Sequence, residues 1–337
     1  MENNPLVSII IPNYNREELL KETLDSVIDQ TYRNWEVIVI DDDSTDHSIE
    51  VLQAYSQKDE RIHFYRRESD IKGACVCRNE GFKKSKGEFI LFLDSDDLLS
   101  PFCLEGRMKA TSYYPDCDFW VFSTLEFNRI SGDSDILVNI FTTENPLNRF
   151  LRMDVIWLAT GPFWKRDTIN KIGGWDEKLK SGQDWDFTVR ALANGFKFLY
   201  FNNIDNYWRR NSNNKISDDN TSKEHLELRI YLFLKIFEFL KAKNQLSEER
   251  RRLIRNLFIA YMIDMIQIKN YELLKVAIVR DKELFPEKRK VRMLTYIFTK
   301  LYKIGVGRNR IPGLIRYINA CEMRDNTFTK VRYKILK

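Results

Sequence analysis

Short apolar runs alternate with amphipathic helical segments through the first hundred residues of this 337-residue chain. Four runs consist almost entirely of β-branched, aliphatic and aromatic residues: 7–11, 35–40, 62–65 and 89–93. Such runs are typical of strands buried on both faces of a sheet. The segments between them carry apolar residues three and four positions apart, which indicates helices. This alternation predicts an α/β domain with a mostly parallel central sheet flanked by helices.

Polar clusters follow three of the predicted strands directly, at residues 13–16, 41–46 and 94–97. The carboxyl ends of parallel strands share one edge of the sheet, and ligands bind there. Acidic residues placed directly after a buried strand cost desolvation free energy unless they meet a cation or strong hydrogen-bond donors. We therefore expect a bound cation and a hydroxyl-rich ligand at this edge.

Asp94 and Asp96 are two residues apart, so their side chains point to the same side if the chain stays extended. Proteins hold Mg²⁺ or Mn²⁺ through one or two carboxylates together with substrate phosphates and water. A polar loop before the next helix is the alternative for this pair alone. The acidic cluster at 41–46 has its own alternative, a helix N-cap, which accounts for only one or two of its four carboxylates.

Six segments resemble the motifs of family-2 glycosyltransferases, in the order that the family has them. They are residues 7–16, 39–46, 73–81, 87–97, 173–177 and 182–190, and the resemblance covers about residues 5–217. Two positions depart from the pattern, because the family commonly has Gly where Asp43 stands and often has Glu where Gln183 stands. The resemblance implies a GT-A nucleotide-sugar-binding fold, an inverting mechanism and a divalent metal ion, Mn²⁺ or Mg²⁺.

The resemblance also implies which residues bind the nucleotide sugar. In the nucleotide pocket and around its base and ribose it places Pro12, Tyr14, Asn15, Asp41, Asp42, Arg78 and Asp94. Asp42, with Asp41, would accept hydrogen bonds from the base, and Asp96 would hold the metal ion at the diphosphate. For Arg78 two roles remain open: contact with the nucleotide, or support of the acidic edge.

Asp184 matches the catalytic base of the family. An incoming sugar hydroxyl has a pKa far above 7, so it needs a base within hydrogen-bond reach as it attacks. Trp175 and Trp185 are expected to bind the acceptor, because aromatic faces stack on sugar rings. The alternative for this segment is a helix N-terminus with Asp184 as its cap and Trp185 in the core.

Many members of the family carry a His near the segment that corresponds to residues 207–212, where it completes the metal site. The three histidines of this chain are His47, His63 and His225, and none of them lies there. Arg209 or Arg210 is the candidate to meet the diphosphate instead, because a guanidinium is a planar charged donor.

Charge divides the chain near residue 219. Residues 1–219 carry 27 basic and 37 acidic side chains, whereas residues 220–337 carry 27 basic and 12 acidic ones. The later part also shows almost purely helical spacing, at 224–243, 248–268, 271–282, 290–303 and 313–321. We predict a GT-A domain at residues 1–217 and a basic, all-helical domain at residues 218–337.

The helical domain has two dense basic runs, at 250–252 and 288–292, which are compatible with more than one function. The amphipathic segment 290–303 fits a helix that lies on an anionic membrane surface, where capsule and lipopolysaccharide transferases meet lipid-linked acceptors. The alternative is a helical bundle whose basic faces are solvated, or which packs against the acidic domain or a second subunit as a homodimer. Nucleic-acid binding is not expected, because no recognition motif accompanies the charge.

Several classes are excluded by what the sequence lacks. Its longest apolar stretches fall well short of the ~18 residues of a spanning helix, and residues 1–5 do not open a secretory signal. Five cysteines without zinc or disulfide spacing indicate reduced thiols in the cytosol.

We therefore predict a cytoplasmic enzyme, peripheral at the inner face of the cytoplasmic membrane. It would transfer a sugar from a nucleotide sugar, foremost a UDP-sugar, to a hydroxyl of a saccharide or lipid-linked saccharide during surface-polysaccharide biosynthesis. The alternatives are a transferase that loads sugar onto polyprenyl phosphate and a non-catalytic nucleotide-sugar-binding subunit.

Overall fold

The computed structural model describes residues 4–138, 140–210, 222–286 and 333–334. These residues form two compact units. The first unit contains the described residues up to 146, those from 155 to 210, and the short strand at 333–334. The second unit contains residues 147–154 and 222–286.

The first unit alternates strands and helices in its first hundred residues and is mixed afterwards. Its elements are β1 Val7–Asn13, α1 Glu17–Ile28, β2 Trp35–Asp41, α2 Ser48–Lys58, β3 Ile62–Arg66, α3 Ala74–Lys84, β4 Phe89–Phe92, β5 Leu98–Leu99, α4 Cys103–Tyr113, β6 Phe119–Phe127, β7 Ile136–Leu137, β8 Pro162–Lys165, α6 Arg166–Ile172, α7 Gln183–Ala193, β9 Phe198–Arg209 and β10 Tyr333–Lys334.

These strands form one sheet in the order β10-β7-β6-β8-β4-β1-β2-β3, with β9 beside β6 and β5 beside β9. Strands β3, β2, β1 and β4 are parallel, and β8 then pairs antiparallel with β4. Every residue of β1, β2 and β4 is buried, as the largely apolar runs predicted. The predicted α/β class with a mostly parallel sheet is confirmed.

Two glycines let neighbouring elements approach the strand that leads to the polar edge. A Cβ on Gly81 of α3 would lie 2.5 Å from Cγ2 of Ile10, so this helix packs directly on β1. A Cβ on Gly87 would lie 2.6 Å from the backbone nitrogen of Ser8. Any larger residue at either position must shift β1, and with it the residues that follow the strand.

The core beneath the parallel strands comes from the apolar faces that the sequence predicted. Leu20, Leu24 and Val27 of α1 and Leu52 of α2 pack against the buried face of β1 and β2. Burying one such side chain stabilises the fold by about 1.5–3 kcal/mol, so this face fixes both helices on the sheet.

Some predicted element boundaries are wrong. The sequence offers Ser44 or Thr45 as the N-cap of the second helix, but α2 begins at Ser48, because the Ser44 hydroxyl donates to Asp41 instead. Residues 141–155 have a pattern that favours a helix, but the helix forms only over Pro146–Leu151, which is α5. Residues 196–201 have a pattern that favours a strand, and the strand that forms, β9, begins at Phe198 and continues to Arg209, with irregularities in its pairing with β6.

The second unit is helical. Besides α5 it contains α8 Lys223–Ala242, α9 Glu248–Gln267 and α10 Tyr271–Leu284, which confirms three of the predicted helices. Ser222 and Ser247 cap α8 and α9, since their hydroxyls accept hydrogen bonds from backbone N–H groups of the first turns. The predicted helices at 290–303 and 313–321, and the predicted boundary after residue 217, lie outside the described residues.

Within the described ranges, none of the helices has the length and apolar character needed to cross a lipid bilayer.

Candidate active site

Strands β1 and β2 end side by side, and their last residues bind each other. Nδ2 of Asn13 donates to Oδ2 of Asp41 over 2.9 Å, and the hydroxyl of Ser44 donates to the same oxygen over 2.6 Å. The backbone N–H of Ser44 donates to the other carboxylate oxygen, Oδ1, over 2.9 Å. Asp41 is only 1% exposed, so these hydrogen bonds of its buried carboxylate fix the turn after β2. Direct contact between Asp41 and a nucleotide stays a prediction that this burial does not favour.

The residues after β1 are tied to the turn after β2. Asn15 has a positive φ of 50°, and its Oδ1 accepts a hydrogen bond from the backbone N–H of Thr45 over 2.7 Å. Its own N–H donates to the hydroxyl of Ser44 over 2.9 Å. Pro12 is buried and Tyr14 is half exposed. The structure therefore brings the predicted nucleotide residues of the first two motifs together at one edge of the sheet.

Asp42 and Asp43 share one buried arginine. Nε of Arg67 binds Asp42 and its Nη2 binds Asp43, while the N–H of Gly73 donates to Oδ2 of Asp42 over 2.9 Å. Desolvation raises the pKa of Asp42 above its ordinary value, although Arg67 opposes this shift. Sequence reasoning did not single out Arg67, because no periodicity or spacing links residue 67 to residues 42 and 43.

The departure at Asp43 has a backbone explanation. Asp43 adopts φ 61°, in the left-handed region that favours glycine. Glycine takes this conformation without strain, which fits the Gly that the family commonly has there. In this chain the ion pairs of Asp43 with Arg67 and with Lys72, at 3.5 Å, offset the backbone strain.

Arg78 of α3 contacts the loop after β4 and also the segment 173–190, which carries Asp184 and the two tryptophans and is called the acceptor-side segment below. Its Nη2 donates to Oδ1 of Asp94 over 2.6 Å, and its Nη1 donates to Oε1 of Gln183 over 2.9 Å. Its guanidinium carbon lies 4.5 Å from the ring centroid of Trp175. Burial acts to lower the pKa of Arg78, but Asp94 and Asp184 outweigh burial and hold that pKa above its ordinary value. Of the two roles considered for Arg78, these contacts match support of the acidic edge rather than contact with the nucleotide.

Asp184 lies in the first turn of α7 and is half-buried. It does not cap the helix: the residue before α7 is Gly182, with φ 70°, and no side chain caps this end. Desolvation raises the pKa of Asp184 to about 6; Arg78 lowers this pKa, Asp94 raises it, and a hydrogen bond from the Ala159 backbone lowers it. A carboxylate with this pKa is ionised at pH 7 and is a stronger base than an ordinary Asp.

The two tryptophans proposed for the acceptor lie in the interior. Trp175 is 5% exposed and stacks on Phe187, with ring centroids 4.4 Å apart. Trp185 is 2% exposed, which matches the alternative that placed it in the core. Acceptor stacking on either ring stays a prediction that the burial does not favour.

Asn79 fixes the turn that carries Trp175, and sequence reasoning did not single it out individually. Its Oδ1 accepts the N–H of Trp175 over 2.9 Å, and its Nδ2 donates to the carbonyl of the same residue over 2.9 Å. The adjacent residues Arg78 and Asn79 therefore connect α3 to both parts of the acceptor-side segment, α7 and the turn at Trp175.

The loop after β4 presents the carboxylates proposed for the metal ion. The side chain of Asp94 is 38% exposed and that of Asp96 is 19% exposed, with Oδ2 of Asp96 lying 3.7 Å from Nε of Arg16. In the parts of the chain that the structure describes, no group of three or more His, Cys, Asp or Glu side chains can hold a metal ion. Two neighbouring, partly exposed carboxylates fit a Mg²⁺ or Mn²⁺ site that substrate phosphates and water complete.

The two arginines considered for the diphosphate are engaged with the protein. Arg210 pairs with Glu126 over 3.1 Å, and its side chain is one-third exposed. Arg209 is 5% exposed and binds Glu22 over 2.6 Å. The structure therefore supports a bracing contact for Arg209 and leaves a ligand contact for Arg210 as a prediction.

Comparison with known proteins agrees with this architecture. The profile of the family described as "Glycosyl transferase family 2" matches residues 8–163. An uncharacterised glycosyltransferase of Methanocaldococcus jannaschii is 29% identical over 238 residues, which are 66% of this chain and 80% of that protein.

Two Bacillus relatives have more specific names. The putative teichuronic acid biosynthesis glycosyltransferase TuaG of Bacillus subtilis is 45% identical over 31% of this chain. The poly(ribitol-phosphate) beta-glucosyltransferase of Bacillus spizizenii is 43% identical over 60% of this chain. The matches span 41% and 32% of the lengths of these two relatives.

Solved structures share the fold over nearly the whole chain. The S. aureus TarS 1-349 complex with UDP-GlcNAc superposes with a TM-score of 0.68 at 19% identity, covering 96% of this chain and 93% of that one. The mannosyltransferase PcManGT of Pyrobaculum calidifontis, in complex with GDP-Man and Mn²⁺, gives a TM-score of 0.52 at 14% identity, covering 96% and 89%. These likenesses confirm the predicted GT-A fold, and the family match confirms the predicted enzyme class. The predicted resemblance to glycosyl transferase family 2 is confirmed over residues 8–163.

Proposed function

We propose that this chain transfers a sugar, with inversion, from a nucleotide sugar to a hydroxyl of a saccharide or lipid-linked saccharide. One observation carries the proposal: Arg78 joins the donor-side carboxylate Asp94 to the first turn of α7, which bears Asp184. The proposed base is thus fixed beside the proposed donor site, and desolvation raises its pKa to about 6. Positioning a base against a reacting hydroxyl contributes about 10²–10⁴ in rate.

The donor would lie along the carboxyl ends of β1, β2 and β4. The side chains around Asp42, with residues 12–15, would hold the base, and Asp94 would lie near the ribose. Asp96 would hold Mn²⁺ or Mg²⁺ together with the diphosphate oxygens and water. When bound, such an ion neutralises the charge of the departing diphosphate.

Asp184 would take the proton of the acceptor hydroxyl while its oxygen attacks the anomeric carbon. The bond from that carbon to the diphosphate breaks, and the nucleoside diphosphate leaves with the electron pair. Attack from the face opposite the leaving group converts an α-linked donor into a β-linked product. The name of the B. spizizenii relative, a beta-glucosyltransferase, supports this stereochemistry.

The relatives also support the substrate class. Two of them are named for teichuronic acid and poly(ribitol phosphate), which are surface polymers. Among the structures of similar fold, TarS holds UDP-GlcNAc and the mannosyltransferase holds GDP-Man. The TarS complex favours a UDP-sugar donor, and the Bacillus names favour a surface-polysaccharide acceptor. Action on the cytoplasmic side of the membrane stays a prediction.

Association with an anionic membrane or with a second copy of the chain stays a prediction. The amphipathic segment 290–303 lies outside the described residues. Of the basic run in α9, Arg250 donates to Oδ1 of Asn148 over 2.9 Å, and Arg251 lies against Phe237. These internal contacts support the alternative of a helical bundle for this part of the unit.

The test is donor hydrolysis and transfer across a panel of UDP- and GDP-sugars, with and without Mn²⁺. We expect turnover of one UDP-sugar that depends on the metal ion, and its loss in Asp96→Ala. If no donor binds or turns over, the proposed activity is wrong. If a donor binds but is not turned over, a non-catalytic subunit is favoured. If Asp96→Ala keeps full metal-dependent activity, the metal assignment is wrong. Transfer to polyprenyl phosphate in preference to saccharides would favour the alternative enzyme.

A further inference from the structure

Arg209, the last residue of β9, ties three segments together at the end of the sheet. Its Nε donates to the backbone carbonyl of Asp96 over 2.9 Å, and its Nη2 donates to Oε2 of Glu22 in α1 over 2.6 Å. Its backbone N–H donates to Oδ1 of Asp97 over 3.0 Å. The guanidinium carbon lies 4.4 Å from the ring centroid of Phe127.

The contact with the Asp96 carbonyl differs in kind from the other contacts of this side chain. Glu22 is about half exposed, so its ion pair with Arg209 contributes little to stability by itself. The bond from Nε, by contrast, is a charge-assisted hydrogen bond to the peptide unit that carries the Asp96 side chain. It is made by a side chain that is almost fully buried, so the peptide is held at a defined position.

A second set of bonds holds the neighbouring residue. The hydroxyl of Thr23 in α1 donates to the carbonyl of Asp97 over 2.9 Å, and the N–H of Asp97 donates to the carbonyl of Asp94 over 3.1 Å. Asp97 is 2% exposed, and these bonds fix it without the side chain of Arg209. Asp96, which lies between these points, has a partly exposed side chain, and its carbonyl is bound by Arg209.

We propose that Arg209 is a positioning residue, which orients the Asp96 carboxylate for the cation at the donor diphosphate. The inference rests on the proposed function, since it needs Asp96 to face that cation. Arg209 acts through the backbone of Asp96, and Glu22 in turn keeps the guanidinium in register. Lysine cannot replace it, because one ammonium group does not match the fixed fork that reaches both partners.

Arg166 offers a matched control. Its Nε donates to the carbonyl of Gly87 over 2.6 Å, and its Nη2 donates to the hydroxyl of Ser85 over 2.9 Å. Gly87 precedes β4, so this arginine braces a carbonyl at the opposite end of the strand from Asp96. Arg166→Lys therefore removes the same kind of bond away from the proposed site.

The test is titration calorimetry of UDP binding, with and without Mn²⁺, on the full chain and on Arg209→Lys and Arg166→Lys. We expect Arg209→Lys to weaken UDP binding in the presence of Mn²⁺ by about tenfold, which corresponds to about 1.4 kcal/mol. Binding of UDP without Mn²⁺ should change less than about twofold, because the base end of the site is untouched. Arg166→Lys should leave both affinities unchanged.

Three results overturn the inference: Arg209→Lys binds UDP with Mn²⁺ as the wild type does, it weakens binding equally with and without Mn²⁺, or Arg166→Lys reproduces its effect. If Arg209→Lys does not fold, Glu22→Ala decides, because it removes the carboxylate that holds the guanidinium. A Mn²⁺-specific loss of a few-fold then supports the inference, and no loss overturns it. Failure of the wild type to bind UDP in either condition rejects the proposed function itself.

Discussion

Three buried arginines of the first unit and one buried arginine of the second serve different purposes. In the first unit Arg67, Arg78 and Arg209 are nearly inaccessible, and each binds polar groups at the carboxyl ends of the strands. In the second unit the buried Arg255 pairs with Asp281 inside the helical bundle. The net charges of the two parts of the sequence did not indicate this difference. In the acidic part, the buried arginines organise the carboxylates at the end of the sheet.

The comparison also limits what a basic run shows. Arg250 and Arg251, part of the densest basic run of the second unit, are both partly buried and bound to neighbouring residues. A long charged side chain can bury its aliphatic part while its charged group still binds a partner. Substitutions at strand ends should therefore change chemistry, whereas substitutions inside the bundle should change stability alone.

Replacing the proposed base should give the largest effect. Asp184→Asn keeps the size of the side chain but cannot accept a proton, so we expect transfer to fall by about 10²–10⁴. UDP binding should change little, because Asp184 lies on the acceptor side. Steady-state kinetics with the donor found in the panel measure the loss. Full activity in this variant would remove Asp184 from the mechanism.

A matched pair of arginine substitutions tests the comparison directly. Arg255→Met removes the ion pair with Asp281, which is fully buried, and it should lower the free energy of unfolding by about 3–5 kcal/mol. Arg78→Met releases Asp94 and the first turn of α7, so it should lower kcat by about tenfold or more.

Urea unfolding measures the loss of stability, and kcat per folded molecule measures the loss of catalysis, so the two effects can be separated. We expect Arg255→Met to keep the wild-type kcat once the unfolded fraction is taken into account. A loss of kcat in that variant as large as in Arg78→Met would break the distinction between the two units.

The pKa of Asp184 predicts a pH-dependent gain in stability on its removal. Its pKa in the folded protein is about 6, above the ordinary value of 3.8, so the fold disfavours the ionised carboxylate. This unfavourable contribution is complete above about pH 6 and disappears as the pH falls toward 4. Asp184→Asn should therefore melt at a higher temperature than the wild type at pH 8 and at the same temperature near pH 4. A Tm difference that does not vary with pH would contradict the raised pKa.

The smallest effect is expected at Asp43. Asp43→Gly relieves the strain of a positive φ by about 1 kcal/mol but loses the ion pairs with Arg67 and Lys72. These changes nearly cancel, so we expect Tm to shift by no more than a few degrees. Donor affinity should fall slightly, because Arg67 also positions Asp42. Thermal denaturation and donor titration together measure both.

The sequence predicted the sheet and its polar edge because both follow from local patterns. Largely apolar runs identify strands such as β1 and β2, and parallel pairing places Asn13 opposite Asp41. Element ends were less predictable: the Ser44 hydroxyl had two possible partners, a helix N-terminus or Asp41, and only tertiary structure decides between them.

The partners of the site residues could not be predicted. Arg67, Asn79 and Arg209 act over separations of many residues, to Asp42, Trp175 and Glu22 respectively. Burial of Trp175 and Trp185 was equally hidden, because an aromatic residue near a motif suits both a sugar and a core. The motifs identified the polar residues of the edge and Arg78, whereas the fold alone identified Arg67 and the partners that each arginine binds.

The path of the chain between the units has a consequence for how this enzyme can be rebuilt. The chain leaves the first unit at residue 146, returns at 155, and contributes β10 to the first unit's sheet again at 333–334. Arg250 of the helical unit binds Asn148, which lies in the inserted segment. Neither unit is a continuous piece of sequence. A gene fragment cut near residue 217 would separate each unit from residues it uses, so recombination among relatives should favour exchange of whole chains over exchange of their C-terminal parts.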